Sequence, residues 1–296
     1  MFSKIVVATD FSEASDSVIG CLHGLRPLGV QEVILMHALG LRHLEELKYL
    51  LAPQAERKLQ DQKAVLVDQG FQVTVRIEPG LPSAEINRVA RETEASMIVV
   101  GSHGATLSRE VLLGSVATEV LHRSRHPVLV ARLKIHDTVD DRTRCEMVCT
   151  DFHRRVLFAT DFSDTAERAF GYVEKIVESG GRRVTLLHVQ DRSHIEHHLL
   201  DRLDEFNRID EERLARMRAR LQELGADDVR IELPYGHPVD EIVERAAGED
   251  ATLIVMGSQG RGVLAAMVLG GVSLRVTRLT SVPVLVVPPI RSSQRP

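Results

Sequence analysis

The apolar and polar positions of this chain alternate between short runs rich in Val and Ile and longer stretches with helical spacing. Short apolar runs bounded by turn signals predict strands buried on both faces of a parallel sheet, with helices as connections. In the first half the predicted strands are residues 5–9, 33–37, 73–77, 97–100 and 128–131. The pattern therefore predicts an α/β fold built from βαβ units.

Four helices are predicted between these strands. Ser12 is suited to cap the first helix, and Pro82 to open the third, as Pro238 does in the second half. The second helix is predicted to be long because apolar residues recur on one face. In the first half these residues are Leu44, Leu47, Leu51, Ala55 and Leu59, and in the second half Leu199, Leu203, Phe206, Leu214, Met217 and Leu221.

The chain contains an internal repeat, which sets its domain organisation. KIVVATDFSEAS at residues 4–15 reappears as RVLFATDFSDTA 151 positions later. From Gly80 and Gly236 onward the offset is 156, so the second copy carries five inserted residues. IVVGSHG from residue 98 then pairs with IVMGSQG from residue 254. We predict two homologous domains, residues 1–134 and 154–290, joined by a polar linker at residues 135–153.

Composition excludes several classes of function. The net charge of -5 and the lack of a long Lys/Arg run count against nucleic acid as a partner. Three cysteines, Cys21, Cys145 and Cys149, are too few for a disulfide framework, which favours a reducing compartment. The start of the chain reaches Asp10 too early for a signal peptide, and no apolar stretch attains the roughly 20 residues of a membrane span. We expect a cytoplasmic protein.

A glycine motif follows the fourth predicted strand. Gly101 and Gly104 are followed after nine residues by Gly114 and Ser115, giving G-x2-G-x9-G-S. Glycines let the backbone approach a ligand closely, and a helix N-terminus offers unpaired N–H groups to phosphate. With a strand order of 3-2-1-4-5, the switch point lies between strands one and four, so Asp10 and the glycine motif converge there.

These residues resemble the universal stress protein family, whose members open with a strand ending in a T-D-F-S-like segment and carry this glycine motif. The resemblance implies two tandem five-stranded parallel-sheet domains of the adenine-nucleotide alpha-hydrolase-like type. It implies ATP or AMP as the ligand, with Mg²⁺ as an accompanying ion. In the first copy the implied nucleotide-binding residues are Ala8, Thr9, Asp10, Ala38, Val100, Gly101, His103, Gly104, Gly114, Ser115 and Val116. In the second copy they are Asp161, Val189, Met256, Gly257, Gln259, Gly260, Gly270, Gly271 and Val272.

The second copy departs from the motif at Gly271, which stands where Ser or Thr is called for. A hydrogen bond to a charged group contributes about 1.5–3 kcal/mol, so this loss alone predicts a site weaker by roughly tenfold or more. We therefore expect unequal sites. The first domain is predicted to be the stronger ATP site, and the second to be weaker or to hold AMP.

The implied function is a nucleotide-binding stress-response and signalling protein, with no catalytic residue, whose occupancy regulates a protein partner. The chain lacks a G-x-x-x-x-G-K-[ST] loop and a G-x-G-x-x-G after the first strand. Slow ATP hydrolysis and a nucleotide-independent interaction scaffold are the alternatives. The resemblance also implies that strands near Val128 and Val284 pair within the chain as a pseudo-dimer, with homodimerisation left open.

Other polar residues have competing interpretations. Cys145, Cys149 and His153 are spaced as part of a zinc site but are one ligand short, so a metal is not expected. The cluster His194, His197 and His198 is better explained by a solvated helix start. Arg109 either neutralises a distal phosphate or is a solvated loop charge. His37 and His188 lie within predicted strands, and satisfied core histidines are the default interpretation.

Overall fold

The computed structural model describes residues 2–40, 45–103, 113–136, 144–147, 151–195, 203–260 and 269–290. The chain forms two compact units, Met1–Thr150 and Asp151–Pro296. Within the described residues no helix has both the length and the apolar character needed to cross a bilayer.

The first unit contains a five-stranded sheet in which every neighbouring pair is parallel. Its order is β3-β2-β1-β4-β5, which confirms the predicted 3-2-1-4-5 arrangement. The strands are β1 (Lys4–Ala8), β2 (Glu32–Leu39), β3 (Gln72–Pro79), β4 (Met97–Gly101) and β5 (Val128–Ala131). The helices are α1 (Glu13–Gly20), a short 3-10 helix (Leu22–Leu28), α2 (Glu45–Asp68), α3 (Pro82–Glu92) and α4 (Ser115–Arg123).

A two-stranded hairpin follows this sheet. β6 (Leu133–His136) pairs antiparallel with β7 (Arg144–Met147), and the hairpin lies against α1 of the first unit. The segment 135–153, predicted as a linker, therefore contains ordered strands. Sequence reasoning missed them because four residues per strand are too few to establish a period. The predicted domain limits themselves stay a prediction.

The second unit repeats the parallel sheet in the order β11-β9-β8-β13-β14. Its strands are β8 (Val156–Ala159), β9 (Arg183–Leu187), β11 (Asp228–Glu232), β13 (Leu253–Gly257) and β14 (Val284–Val287). A separate parallel pair, β10 (Gln190–Asp191) with β12 (Tyr235–Gly236), extends beyond the main sheet. The helices are α5 (Asp164–Glu178), α6 (Arg192–Ile195), α7 (Leu203–Glu223), α8 (Pro238–Gly248) and α9 (Gly271–Leu279).

The helix starts follow the predicted chemistry. Ser12 caps α1 by accepting a hydrogen bond from the Ser15 amide at 3.2 Å, and Ser163 caps α5 in the same way. Pro82 and Pro238 lie in the first turns of α3 and α8, where a missing N–H costs nothing.

The long helices bury one face, as the periodicity predicts. Ala55, Leu59 and Leu66 of α2 are buried, as are Leu214 and Leu221 of α7. Phe206 and Met217 are half-buried. Leu44 and Leu199 lie outside the described residues, as do the side chains of Leu47, Leu51 and Leu203.

Leu59 is a direct test of this packing, because its side chain is fully buried under α2. We expect Leu59→Ala to destabilise the first unit by about 2–5 kcal/mol through lost burial and a residual cavity. Val65 lies on the same helix but is 42% exposed, so Val65→Ala should change stability by no more than about 0.5 kcal/mol. Urea denaturation followed by circular dichroism measures both, and equal midpoints for the two variants would contradict the assigned face.

Candidate functional site

The candidate site lies where the chain reverses direction across the sheet. From β1 the chain moves outward to β2 and β3, and then returns to β4 on the other side of β1. Val7 of β1 pairs with Val99 of β4, so Asp10 and Gly101 leave the sheet at the same edge. In open α/β sheets this switch point is where ligands bind. The structure thus brings together the two parts of the site predicted from sequence.

The acid after the first strand has the same setting in both units. Asp10 Oδ1 accepts hydrogen bonds from the Ser12 amide at 3.1 Å and from the Ser12 and Ser15 hydroxyls at 2.5 Å. Asp161 Oδ1 accepts from the amide and hydroxyl of Ser163 at 3.1 and 2.6 Å. Asp10 is exposed, whereas Asp161 is half-buried. Each carboxylate therefore orients the serine that caps the next helix.

The phenylalanine after each acid adopts an unusual backbone conformation. Phe11 and Phe162 have φ values of 61° and 58°, in the left-handed region that costs an ordinary residue about 1–2 kcal/mol. Their amides donate to the hydroxyls of Thr9 and Thr160 at 3.1 and 3.0 Å. In each unit this hydrogen bond closes a sharp turn after the strand. The turn fixes the direction in which Asp10 or Asp161 points.

A histidine supports each phenylalanine, His37 within β2 and His188 directly after β9. The rings of Phe11 and His37 stack with centroids 4.2 Å apart, and those of Phe162 and His188 lie 4.6 Å apart. His37 Nδ1 lies 2.9 Å from the Thr9 carbonyl oxygen, and His188 Nδ1 lies 2.7 Å from that of Thr160. Because a carbonyl only accepts, Nδ1 carries the proton. These histidines are hydrogen-bonded, as the sequence analysis assumed. They also support the turn that contains the acid and the phenylalanine.

The long helix places a cation on each phenylalanine. Lys58 Nζ lies 5.4 Å from the centroid of the Phe11 ring, and the Arg213 guanidinium lies 5.1 Å from that of Phe162. Both distances are within the range of a cation–π interaction. The second unit adds a carboxylate, since His188 Nε2 is 3.4 Å from Asp210 Oδ2. In the first unit Ala55 occupies the matching position, three residues before Lys58, as Asp210 is three residues before Arg213.

The glycine motif is closed by one backbone hydrogen bond. Gly101 ends β4, and the Gly114 amide donates to the Ser102 carbonyl oxygen at 2.8 Å. The second unit has the same bond, from the Gly270 amide to the Ser258 carbonyl oxygen at 2.7 Å. This contact places the start of α4 or α9 beside the strand end, although many residues separate them in sequence. Gly104 and Arg109 lie outside the described residues.

The starts of α4 and α9 differ in one side chain. Gly114 and Gly270 are the N-caps, and Ser115 and Gly271 occupy the first helical position. Ser115 is exposed, and within the part of the chain that the structure describes its hydroxyl makes no hydrogen bond. A Cβ placed on Gly271 would meet no atom within 4 Å. The first-turn amides of both helices lack intrahelical partners, as in any α-helix.

The family model described as the universal stress protein family matches this chain twice, over residues 1–132 and 153–288. The chain belongs to the universal stress protein family. The matched ranges correspond to the two copies of the repeat.

Individual universal stress proteins agree with this assignment. One from Methanocaldococcus jannaschii is 33% identical over 157 residues, which is 45% of this chain and 97% of that protein. One from Mycolicibacterium smegmatis is 30% identical over 221 residues, which is 73% of this chain and 70% of that protein. The solved structure of a universal stress protein from Archaeoglobus fulgidus covers 97% of this chain and 96% of its own at 28% identity, with a TM-score of 0.72.

The remaining predicted residues of this universal stress protein lie around the same edge. Ala8 ends β1, the half-buried Ala38 is near the end of β2, and the buried Val100 precedes Gly101. His103 Nδ1 lies 2.9 Å from Ser102 Oγ, and Val116 is exposed in the first turn of α4. In the second unit Val189 and Met256 are buried, Gln259 and Gly260 follow β13, and Val272 is exposed on α9.

Sequence reasoning missed the two phenylalanines and the cations that cover them. A signal was available, because T-D-F-S is identical in both copies, although its phenylalanine was not chosen. Lys58 and Arg213 are a matched pair of cations one residue before the buried Leu59 and Leu214. These positions support the turn that presents Asp10 and Asp161.

The residues considered as a metal site, from which no metal was expected, remain mostly untested. Among the described residues no group of three or more His, Cys, Asp and Glu side chains is arranged to hold a metal ion. Cys149, His197 and His198 lie outside the described residues, as do the side chains of Cys145 and His194. His153 Nδ1 is 2.9 Å from Asp151 Oδ1, which gives this histidine a carboxylate neighbour.

The setting of His37 predicts a pH dependence of stability. Burial lowers the pKa of His37, and this outweighs the raising effects of the Thr9 carbonyl and Asp10, while Lys58 lowers the pKa further. A depressed folded pKa means that the unfolded chain binds the proton more readily, so stability is lost as pH falls below about 6.5.

We therefore expect the first unit to be less stable at pH 5.5 than at pH 7.5. His37→Asn keeps an amide donor for Thr9 but cannot titrate, so it should reduce the loss. His23 is exposed, and His23→Asn serves as the control. Urea midpoints at both pH values provide the measurement. Equal losses in the wild type and in His37→Asn would show that His37 is not responsible.

Proposed function

We propose that this chain is an adenine-nucleotide-binding protein of the stress response, with its principal site between Asp10, Gly101 and the start of α4. The observation that carries the proposal is the hydrogen bond from the Gly114 amide to the Ser102 carbonyl oxygen. It sets a helix N-terminus beside a strand-end glycine at the switch point of the sheet. Such an N-terminus attracts phosphate through its unpaired amides and its dipole.

The glycine at this N-terminus is better explained by a ligand than by the fold. Gly114 has φ -62° and ψ 154°, a conformation open to any residue. A Cβ there would lie 3.6 Å from the Ser102 carbonyl oxygen, which is an ordinary contact. Within the part of the chain that the structure describes, no contact therefore requires glycine at this position. Close approach of phosphate to the backbone does require it.

The proposed ligand is ATP or AMP, as the family resemblance implies. The exposed Ser115 hydroxyl and the first amides of α4 are suited to hold phosphate oxygens. Asp10, at the opposite side of the switch point, supplies an acceptor for hydroxyl or amino groups of the nucleoside. A triphosphate would bring Mg²⁺ with it, since this cation prefers phosphate and water oxygens.

The two sites are proposed to be unequal. The second unit shares the acid, the braced phenylalanine and the glycine contact, but it has Gly271 in place of Ser115. One phosphate donor is missing, and glycine in a helix is also unfavourable by about 1 kcal/mol relative to alanine. The first unit is therefore proposed as the stronger ATP site.

A reciprocal pair of variants tests this proposal. Ser115→Gly should weaken ATP binding by about tenfold, because a hydrogen bond to a charged group is removed. Gly271→Ser should strengthen the second site by a similar factor, since the added side chain has open space. Isothermal titration of the full chain with ATP, with and without Mg²⁺, measures both.

Gly114→Ala completes the set, because its Cβ would make only an ordinary contact, with the Ser102 carbonyl oxygen, among the described residues. It should weaken the first site while leaving the unfolding midpoint nearly unchanged. Strong ATP binding that survives in Gly114→Ala and Ser115→Gly would place the nucleotide elsewhere on the chain.

Nucleotide occupancy is proposed to regulate an interaction with a protein partner. Slow ATP hydrolysis is the alternative output, and analysis of ADP in the titrated samples separates the two. Absence of nucleotide binding would favour a scaffold function. Pairing of the two domains as a pseudo-dimer, and assembly of two chains, stay predictions from the family resemblance.

A further inference from the structure

In the second unit two buried hydroxyl groups hold the glycine loop, residues 257–260. Ser273 Oγ donates to the Gly257 carbonyl oxygen at 2.7 Å, and Thr165 Oγ1 donates to the Gln259 carbonyl oxygen. Thr165 lies in the first turn of α5 and Ser273 in that of α9, and both are at least nine-tenths buried. A side-chain hydrogen bond therefore holds the loop backbone at Gly257 and another holds it at Gln259.

The first unit has neither hydroxyl. The repeat offsets place Ala14 opposite Thr165 and Ala117 opposite Ser273, and both alanines are buried. Alanine has no donor for a loop carbonyl. The two hydroxyls are thus specific to the second unit, although the helix starts also differ elsewhere, with Ser15 opposite Ala166 and Ser115 opposite Gly271.

The strand ends pack differently as a result. A Cβ on Gly257 would lie 2.9 Å from Thr165 Oγ1 and 3.0 Å from the Ala166 amide nitrogen. A Cβ on Gly101 would lie 3.0 Å from the His103 carbonyl oxygen and 3.7 Å from Val18 Cγ2, its nearest contact with α1. The strand-end glycine of the second unit therefore lies against the start of its helix, whereas that of the first unit lies against its own loop backbone at His103.

The glycine loop of the second unit also contacts Asp161. A Cβ on Gly260 would lie 2.7 Å from Asp161 Oδ2, so the carboxylate packs directly on that glycine. The other oxygen, Oδ1, is held by Ser163. Asp161 is half-buried, whereas Asp10 is exposed. The loop of the second unit thus packs against the acid that the proposed function assigns to nucleotide binding.

We propose that the Thr165 hydroxyl is a latch that holds the glycine loop of the second unit on Asp161 and thereby lowers the nucleotide affinity of that site. This inference rests on the proposed function. A ligand that displaces Gly260 from Asp161 breaks the bond from Thr165 to the Gln259 carbonyl oxygen, which Ser163 Oγ also approaches at 3.4 Å. Breaking a neutral hydrogen bond costs a factor of about three to ten in the equilibrium constant. The second site is thus restrained by the protein as well as short of one phosphate donor.

The test compares Thr165→Val, which keeps the shape of the side chain and removes the donor, with Thr165→Ser, which keeps the donor. Both are made in the full chain carrying Gly114→Ala, so that the remaining binding reports the second site. We expect Thr165→Val to raise the affinity for ATP by about three- to tenfold and Thr165→Ser to leave it near the starting value. An affinity for Thr165→Val that is unchanged or lower overturns the latch.

Hydrogen–deuterium exchange in the absence of nucleotide gives a second readout. Peptides containing residues 257–260 should exchange faster in Thr165→Val than in Thr165→Ser, and equal exchange also overturns the latch. The two proposals fail in different ways. If the chain with intact Gly114 binds ATP but Thr165→Val changes neither affinity nor exchange, the latch alone is wrong. If no variant binds ATP, the proposed function is wrong, and the affinity effect of the latch is wrong with it.

Discussion

The parallel pairing of β1 with β4 is the constraint on which the candidate site depends. β1 lies between β2 and β4, so the turn after β1 meets the ends of both neighbours. On one side His37 ties β2 to the Thr9 carbonyl and braces Phe11. On the other side the glycine loop after β4 binds the start of α4 through Gly114. Without this order the acid, the glycine loop and the helix N-terminus would lie at separate edges.

The two units use one scaffold and distribute their hydroxyl groups differently. In the first unit Ser115 presents its hydroxyl to solvent at the start of α4, where phosphate is proposed to bind. In the second unit Gly271 has none, and the hydroxyls of Thr165 and Ser273 bond to the loop itself. Polar groups committed to internal bonds are not available to a ligand. We therefore propose that the first unit responds to nucleotide and that the role of the second unit is more nearly structural.

Much of the fold could be predicted from the sequence, because parallel strands buried on both faces appear as continuous apolar runs. The predicted strands of the first unit match the observed ones to within one or two residues, and the repeat extended the order to the second unit. The short strands β6 and β7 could not be predicted, because they have too few residues for a period. The candidate site could be predicted only as far as its motif extends. The left-handed Phe11 opposes ordinary backbone preference, and it is held by a histidine from another strand. Thr165 differs visibly from Ala14 in sequence, but its partner lies 94 residues away and depends on the tertiary fold.

The central claim is that this universal stress protein holds an adenine nucleotide and that its two sites differ. The most direct measurement is to purify the full chain gently from cells, denature it, and identify and count the released nucleotides by chromatography and mass spectrometry. We predict ATP or AMP at about one molecule per chain or fewer, because the second unit has Gly271 in place of Ser115 and its half-buried acid packs against its own loop. Two equivalents per chain would contradict the difference between the sites. Release of no nucleotide, together with no binding on titration, would contradict nucleotide binding itself.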